Sequence, residues 1–588
     1  MQQQNFTLSP EIKTFLDDLI TTDRDDSTVT VVPLRCGLGK STYIAGYISE
    51  VLADDSPDGL IVVTDSIERL NNYTTEDNKD VTTMTADNVA ESMQKQSFGK
   101  VLLMTTQRFF ALTREEIINF TTYKHGKRTT ILIDERPILR KDHQITIKDF
   151  NDVDSALQLS IDDRADQAEK TWCISQWQRL RDHVQSIMDS YEKLTEKSHF
   201  YLWHTDEWKS MTADDSRFFR FIETNREKIA TQKFTDAYNK IRLINQIITD
   251  GAVFSCFKHR SGQYLKTFTL MIDHRDKMVN IGAKVFVLDS SADIEPSYSG
   301  DHISMVDCSQ FNNIPLDNLT INCVNVNTSK NHLTPLTDNA KTIISVVKSY
   351  ISKNATNPVI FTYKDVEDQF SEYQTGHFGD IKGTNQYRES TDIIQVGLNR
   401  FPELAYFMMT DEEYELNVRM MESLPPEKTI GFFEIIFDFR TKNAWFTEDV
   451  MYRSIFSDIE QNLFRGSIRN PNSTDKMNYT LFFDTTQYAY LIDLMKERYG
   501  SRGATINLVD TPIELKANKS KNRKSEKPTV TQIFYEWYDK QPTGRTFTPS
   551  ELMRETNMSR EGFKNLKKYA KNTFERMKTE TTGIYMVV

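Results

Sequence analysis

Residues 29–42 have the sequence VTVVPLRCGLGKST, a β-branched run followed by two glycines, a lysine and two hydroxyl residues. This pattern predicts a strand, a glycine-containing turn and the start of a helix. At Gly37 and Gly39 the backbone N–H groups can surround a phosphate without interference from a Cβ atom. The helix N-terminus adds a dipole that favours an anion. The stretch therefore predicts a phosphate-binding loop at the end of a sheet strand.

The loop supplies a set of candidate nucleotide contacts: Gly37, Leu38, Gly39, Lys40, Ser41 and Thr42. Lys40 is expected to reach the β- and γ-phosphates of ATP, and the Ser41 hydroxyl is expected to bind Mg²⁺. Leu34 stands where the strict pattern has glycine or alanine, so a chance glycine turn is the alternative.

An acidic pair follows a second apolar strand, at 130–137 in the sequence TILIDERP. Asp134 is expected to hold Mg²⁺, and Glu135 is expected to orient and deprotonate the attacking water. Acidic residues also end many ordinary strands. Because Lys40 lies upstream, we favour ATP hydrolysis.

Apolar runs alternate with helical stretches in two regions of the chain. The runs are at 29–34, 59–65, 100–106, 129–134 and 283–289 in the first region, and at 341–351, 357–364, 391–398, 428–437 and 477–485 in the second. This alternation is typical of parallel sheets with βαβ crossovers. We predict an α/β protein with two such regions and a helical insert in the first.

The helical insert, at about 150–250, contains four of the six tryptophans: Trp172, Trp177, Trp203 and Trp208. Such residues can stack on unpaired bases. Packing in a core or at a domain interface is the interpretation we favour.

The order of motifs resembles that of the superfamily 2 helicases, the DEAD/DEAH-like class built from two RecA-like domains. The stretches that carry the resemblance are 37–42, 105–108, 134–137, 288–293, 359–364, 377–385, 392–397 and 461–469. The resemblance covers about residues 30–470 and rests mainly on order and spacing. These stretches depart from the family pattern in three places: Asp293 replaces a threonine, Phe464 replaces a glycine, and Arg469, the second arginine of its motif, comes one residue late.

The resemblance also implies roles for residues outside the loop and the acidic pair. Gln461, Arg465 and Arg469 correspond to the sixth motif, in which Arg465 is the expected arginine finger. A further segment contains expected contacts to the nucleic-acid backbone: Thr105, Thr106 and Arg108. A solvated helix face is the alternative for the two arginines of the sixth motif.

These observations predict a domain organisation. It comprises a RecA-like ATP-binding domain at 1–300, a connector at 301–334, a second RecA-like domain at 335–512, a basic linker at 513–527 and a nucleic-acid-binding domain at 528–588.

The last 78 residues differ in charge from the rest of the chain. They contain 16 basic and 9 acidic side chains, a net charge of +7, whereas the whole chain of 588 residues has −12. A basic segment on an acidic protein suggests a polyanionic partner, although a solvated tail would show the same charge.

The predicted helices at 530–538, 548–556 and 559–571, with a strand at 582–588, resemble a winged helix-turn-helix. Five cations fall on one face of the second helix: Arg560, Lys564, Lys567, Lys568 and Lys571. We expect them to contact nucleic acid, with an ordinary lysine-bearing surface helix as the alternative.

Composition excludes several classes of protein. The chain is 38% hydrophobic, which is enough for packed cores, and it has no apolar run of membrane-spanning length. No secretory signal is recognised at the N-terminus. The five cysteines form no CxxC pair, so we expect no disulfide framework or zinc cluster. These features predict a cytoplasmic protein of a reducing compartment.

Together, the motifs predict an ATP-dependent DNA helicase or translocase that uses ATP and Mg²⁺. RNA is an alternative substrate. An ATPase switch that loads or remodels a partner protein without unwinding is an alternative function. A packaging motor is less favoured, because no nuclease domain is evident.

Overall fold

We describe the protein from a computed structural model. It covers residues 8–22, 25–73, 79–85, 99–160, 167–192, 199–203, 237–250, 253–258, 264–379, 386–401, 432–435, 444–470, 472–510 and 544–569, together with single residues or short runs within 217–229, 405–409, 533–542 and 574–587.

The strands, numbered in chain order, are β1 (Val29–Val31), β2 (Asp58–Thr64), β3 (Val81–Met84), β4 (Val101–Thr105), β5 (Thr122–Tyr123), β6 (Gly126–Asp134), β7 (Arg140–Thr146), β8 (His199–Trp203), β9 (Val253–Lys258), β10 (Tyr264–Asp273), β11 (Lys284–Leu288), β12 (Ile303–Met305), β13 (Leu319–Asn325), β14 (Val359–Thr362), β15 (Gln374–His377), β16 (Asp392–Val396), β17 (Phe432–Ile435), β18 (Met477–Phe483), β19 (Thr505–Val509), β20 (Thr546–Phe547) and β21 (Tyr585–Met586).

The α-helices, numbered in the same way, are α1 (Pro10–Thr21), α2 (Lys40–Ala53), α3 (Ile67–Tyr73), α4 (Thr106–Ala111), α5 (Arg114–Phe120), α6 (Ile147–Ser160), α7 (Gln167–Glu192), α8 (Ala237–Asp250), α9 (Ser309–Asn312), α10 (Lys330–Leu333), α11 (Asp338–Asn354), α12 (Lys364–Glu367), α13 (Ala444–Leu463), α14 (Ala489–Arg498), α15 (Pro549–Glu555) and α16 (Arg560–Tyr569).

The first sheet has the strand order β12-β1-β11-β6-β2-β4-β3, and every pair along this path is parallel. The short strand β5 pairs with β6 in the antiparallel sense. The central strands are apolar and buried, because helices and loops pack on both faces of the sheet. We call this sheet and the elements packed on it the first core.

The second sheet has the strand order β15-β14-β16-β18-β13-β19 and is also parallel. Helices α13 and α14 contribute to its apolar packing, and we call this region the second core. The prediction of tandem α/β cores with parallel sheets, which match RecA-like domains, is confirmed. Within the expected connector 301–334, β12 pairs in the first sheet and β13 in the second.

At the predicted helical insert, helices α6, α7 and α8 pack against an antiparallel sheet of order β17-β8-β9-β10-β7, of which only β8 falls within 150–250. Strand β17 reaches this sheet from the part of the chain between β16 and α13. Trp177 is fully buried in the insert and stacks on Phe150 and Phe218, so this tryptophan packs in a core. Trp208 lies outside the described residues, as does the side chain of Trp203.

Residues 511–588 form a separate compact unit. Its described part has α15, α16 and the antiparallel pair β20–β21 around a small aromatic core. Helix α15 begins at a capping box in which Thr548 and Glu551 cap each other's backbone N–H groups. The winged-helix assignment stays a prediction.

Candidate nucleotide site between the two cores

The loop after β1 has the backbone that its glycines predict. Gly37 and Gly39 have φ values of 86° and 87°, a left-handed conformation that residues with a Cβ atom rarely adopt. Helix α2 begins at Lys40, so its N-terminal N–H groups face the loop. The Lys40 ammonium is buried and donates to the carbonyl oxygens of Leu34 at 2.6 Å and Arg35 at 3.2 Å.

The acidic pair lies beside this loop. Strand β6 ends at Asp134, which is 1% exposed. Its Oδ2 accepts hydrogen bonds from the Ser41 hydroxyl at 3.1 Å and the Tyr73 hydroxyl at 2.7 Å. Its Oδ1 is buried and has no hydrogen-bond partner among the described residues. The structure thus brings together the two predicted Mg²⁺ ligands, Ser41 and Asp134.

Glu135 occupies an unusual backbone position directly after the strand. Its φ of 74° lies in the left-handed region, where strain is typical of functional positions. Its carboxylate pairs with the guanidinium of Arg69 and lies 3.7 Å from that of Arg465. Burial raises the pKa of the Glu135 carboxyl, but these two guanidinium groups outweigh burial and hold that pKa at about 2. Glu135 is therefore a carboxylate at neutral pH.

Arg69 was missed by the sequence analysis. It lies on α3, is 7% exposed, and pairs with Asp134 at 3.2 Å and with Asp65 at 3.6 Å as well as with Glu135. The sequence signal was an Asp-x-x-x-Arg spacing at 65–69. That spacing is common on exposed helices, where it contributes little. Only the fold shows that this arginine points at the acidic pair.

The end of α13 brings the second core to the same place. Gln461 donates from Nε2 to the Ser291 hydroxyl of the first core at 3.1 Å. Arg465 is 6% exposed and faces Glu135. The carbonyl oxygen of Arg469 lies so close to Gly37 that a Cβ atom there would overlap it. All three predicted residues of the sixth motif therefore lie at the boundary with the first core.

Two further arginines pair across this boundary. Arg136 donates to Glu295 at 2.5 Å within the first core, and to Ser457 at 2.7 Å and Asp458 at 2.8 Å in the second.

Arg498 of the second core pairs with Asp293 of the first at 2.7 Å. Asp293, the residue that departs from the family pattern, therefore takes part in an inter-core ion pair.

A cavity of about 1070 Å³ opens between the cores next to Arg35. Arg35 is 5% exposed, covers the ring of Phe464, and donates to the Ile468 carbonyl at 3.1 Å. Burial and the nearby charge of Arg502 lower the pKa of Arg35 to about 10. Two of its guanidinium nitrogens have no hydrogen-bond partner in the described part of the chain.

These observations fit a bound nucleotide and its metal ion. The loop gives backbone N–H groups at a helix N-terminus, with Lys40 beside them. The unpartnered Oδ1 of Asp134, next to the Ser41 hydroxyl, is the kind of oxygen ligand that Mg²⁺ prefers. Leu38 is partly buried, and Thr42 is exposed at the start of α2.

The predicted nucleic-acid contacts of the first core lie where β4 ends. The Thr105 hydroxyl caps α4 by accepting from the backbone N–H of Arg108 at 3.3 Å. Thr106 and Arg108 are partly exposed, and Arg108 donates to the Met84 sulfur at 3.4 Å. Residues 380–385, part of another stretch of the resemblance, lie outside the described residues.

In the C-terminal unit, the described cations that are predicted to contact nucleic acid lie on α16. Arg560, Lys564 and Lys567 are exposed, and the Lys567 ammonium lies 5.5 Å from the ring centre of Tyr585. Lys571 lies outside the described residues, as does the side chain of Lys568.

Several solved structures resemble this fold. An XPD helicase has a TM-score of 0.46 and 11% identity, with 85% of this chain and 100% of that chain covered. XPD in its apo form has a TM-score of 0.43 and 12% identity, with 84% and 100% covered. Xpd4 of S. tokodaii has a TM-score of 0.44 and 11% identity, with 82% and 96% covered. At this level of similarity no activity is assigned from them.

No protein-family profile and no curated protein sequence matches the chain. Among the described residues, no helix combines the length and the apolar character needed to cross a membrane.

Proposed function

We propose that this chain is an ATP-dependent DNA helicase or translocase of the superfamily 2 type. The observation that carries the proposal is a single meeting point between the cores. There the loop of the first core, its acidic pair and the arginines after α13 lie together, with Arg465 3.7 Å from Glu135.

The first core supplies the groups that would hold the nucleotide. The N–H groups of residues 37–42 would surround the phosphates, and the Lys40 ammonium would turn from the Leu34 carbonyl to neutralise them. Ser41 and Asp134 would hold Mg²⁺, which supplies charge neutralisation on the β- and γ-phosphates when bound.

Glu135 would position the attacking water and accept its proton. Its carboxylate is ionised at neutral pH and its contact with Arg69 fixes its orientation, while movement of Arg465 away would remove one of the charges that lower the Glu135 pKa. Arg465 would leave Glu135 to stabilise the charge that develops on the transferred phosphoryl group. Arg469 and Gln461 would support this arginine at the boundary between the cores.

Nucleic acid would contact two regions. Thr105, Thr106 and Arg108 lie at the carboxyl end of β4, at the same sheet edge as the loop and the acidic pair. The exposed cations of α16 give a second, basic surface that is suited to phosphates. The basic unit makes DNA the substrate we favour over RNA, and opening and closing of the cores would move the strand.

The experiment that tests the proposal is ATP hydrolysis by the purified full-length chain, alone, with single-stranded DNA and with single-stranded RNA. We expect hydrolysis that depends on Mg²⁺ and is stimulated more by DNA than by RNA. A tailed DNA duplex in the same assay measures unwinding. Hydrolysis that neither nucleic acid changes would contradict the motor function and support the partner-regulated switch.

A second experiment tests whether α16 binds nucleic acid, using the double variant Lys564→Ala with Lys567→Ala. If α16 contacts phosphates, the slope of log affinity against log salt concentration falls by about one unit per lysine. An unchanged slope would show that this helix does not bind the nucleic acid.

A further inference from the structure

Arg136 lies directly after the acidic pair, yet most of its contacts lead away from the loop. Its side chain is 13% exposed and donates to Glu295, Ser457 and Asp458. The two oxygens of Asp458 are shared, since its Oδ2 accepts from the amide of Asn399 at 2.6 Å. One guanidinium thus joins the acidic-pair segment directly to α13 and, through Asp458, to Asn399 after β16.

The second-core partners of Arg136 lie on the helix that leads to the predicted arginine finger. Ser457 and Asp458 precede Gln461 on α13 by four and three residues, so the three side chains share a helix face. Arg465 follows one turn after Gln461. Any movement of α13 relative to the first core therefore acts on Arg136, which is one residue from Glu135.

The contact of Arg136 with its partners is buried, which favours a contact that is either fully made or fully broken. Asp458 and Glu295 are 7% and 6% exposed, so loss of the guanidinium removes a cation from two buried carboxylates. The planar guanidinium reaches its three partners with two nitrogens at fixed positions, a geometry that the single ammonium of a lysine does not reproduce. An inter-core contact of this kind has discrete made and broken states rather than a continuous range.

Arg498 provides a natural comparison. It also pairs across the boundary, with Asp293, and its other partner is the buried Glu460. Its side chain is 21% exposed, and it lies on α14, away from the acidic pair in sequence. The two arginines are therefore similar in forming inter-core ion pairs, but only Arg136 directly follows Asp134 and Glu135 in the sequence.

We propose that Arg136 is a positioning residue that couples the approach of α13 to the placement of Glu135 for hydrolysis. The inference rests on the proposed ATPase function. Arg136 does not itself contact the nucleotide in this scheme. It holds the acidic-pair segment and the segment that carries Arg465 in a fixed relative position.

The test compares full-length wild type with Arg136→Ala, Arg136→Lys, Asp458→Asn, Arg498→Ala and Lys40→Ala. Measurements are kcat and KM for ATP with saturating single-stranded DNA, binding of a fluorescent non-hydrolysable ATP analogue, and thermal unfolding. We expect Arg136→Ala to lower kcat by about tenfold or more while KM and analogue binding change by less than about threefold.

The lysine variant should recover part of kcat, because it keeps the charge but not the fixed positions of the guanidinium nitrogens. Arg498→Ala should lower the unfolding midpoint about as much as Arg136→Ala and keep kcat within about threefold of wild type. Combining Arg136→Ala with Asp458→Asn should reduce kcat no further than Arg136→Ala alone, since both break one contact.

Three results would overturn the inference: wild-type kcat in Arg136→Ala, an equal loss of kcat in Arg498→Ala, or additive effects in the double variant. If Arg136→Ala does not fold by circular dichroism, Asp458→Asn decides in its place. Hydrolysis that Lys40→Ala leaves unchanged contradicts the proposed function as well. Hydrolysis that depends on Lys40 but not on Arg136 contradicts this inference alone.

Discussion

The loops that follow β1 and β14 differ in sequence and backbone conformation, although both follow buried strands of parallel sheets. Each strand is buried, and each is followed by a helix whose first residue is a lysine, Lys40 in α2 and Lys364 in α12. After β1 the chain has two glycines with left-handed φ values and a 14-residue helix. After β14 it has a tyrosine and a helix of four residues.

Tyr363 closes the second loop. Its hydroxyl donates to the Leu398 carbonyl at 3.0 Å and accepts from the Leu398 N–H at 3.2 Å. Its ring lies where a Cβ atom on Gly397 would clash. The Tyr363 ring thus packs against the end of β16, and the arginines that the second core brings to the boundary come from the end of α13. The two parallel sheets are therefore alike, and the loops that follow β1 and β14 distinguish the two cores.

The largest expected effect tests the two lysines against each other. Lys40→Ala should reduce ATP turnover to background, because a buried cation at the loop is lost. Lys364→Ala should leave turnover within about twofold, because this exposed side chain has no phosphate loop beside it. Steady-state ATPase rates and circular dichroism of both variants check this. Equal losses would mean that the second loop also serves the nucleotide.

The next effect tests what the second core supplies. Arg465→Ala should lower kcat by roughly 1,000-fold with little change in nucleotide affinity, as expected for an arginine that acts mainly in the transition state. Arg453→Ala is the control on α13, the helix that precedes Arg465; this arginine is 42% exposed and pairs with Asp449. A loss of affinity without a loss of kcat in Arg465→Ala would assign it to ground-state binding.

Much of this arrangement could be predicted from the sequence. Buried strands of parallel sheets are continuous apolar runs, and the glycine loop and acidic pair each follow such a run, so both were located correctly at strand ends. The resemblance predicted Arg465 as an arginine finger, and that role stays a prediction; the structure places its guanidinium 3.7 Å from the Glu135 carboxylate.

What could not be predicted depends on contacts distant in sequence. Arg69 and Arg136 have no local signal that separates them from ordinary charged residues, because their partners lie up to 322 positions away. The pairing of β17 with β8 joins segments from different parts of the chain, and a short apolar run does not specify which sheet it enters. Periodicity identifies the elements but not their partners.

A smaller effect tests a buried histidine of the first core against an exposed histidine of the second core. His274 packs against Phe110 in the first core and is 7% exposed. Burial, with the nearby charge of Lys277, lowers its pKa from 6.5 to about 4. The neutral form is therefore favoured by folding: the contribution to stability is full above pH 6.5 and is lost as the pH falls towards 4.

Urea unfolding at pH 8 and pH 5 measures this contribution. Between these values the wild type should lose about 2 kcal/mol more of its free energy of unfolding than His274→Gln does. His332→Gln, at an exposed position of the second core, should behave like the wild type. Equal pH dependence of the wild type and His274→Gln would show that this histidine does not set the acid sensitivity of the first core.

The smallest effect tests how the second loop is closed. Tyr363→Phe removes one hydroxyl and leaves the buried N–H and carbonyl of Leu398 without that partner, so the free energy of unfolding should fall by about 1–2 kcal/mol. Tyr490→Phe, at an exposed ring of the same core, should change it by less than about 0.5 kcal/mol. Turnover should be unaffected in both variants, because a loop filled by its own side chain takes no part in hydrolysis. A stable Tyr363→Phe variant with altered turnover would instead mean that this loop moves during the cycle, and the division of roles between the two cores would then depend on motion as well as on loop sequence.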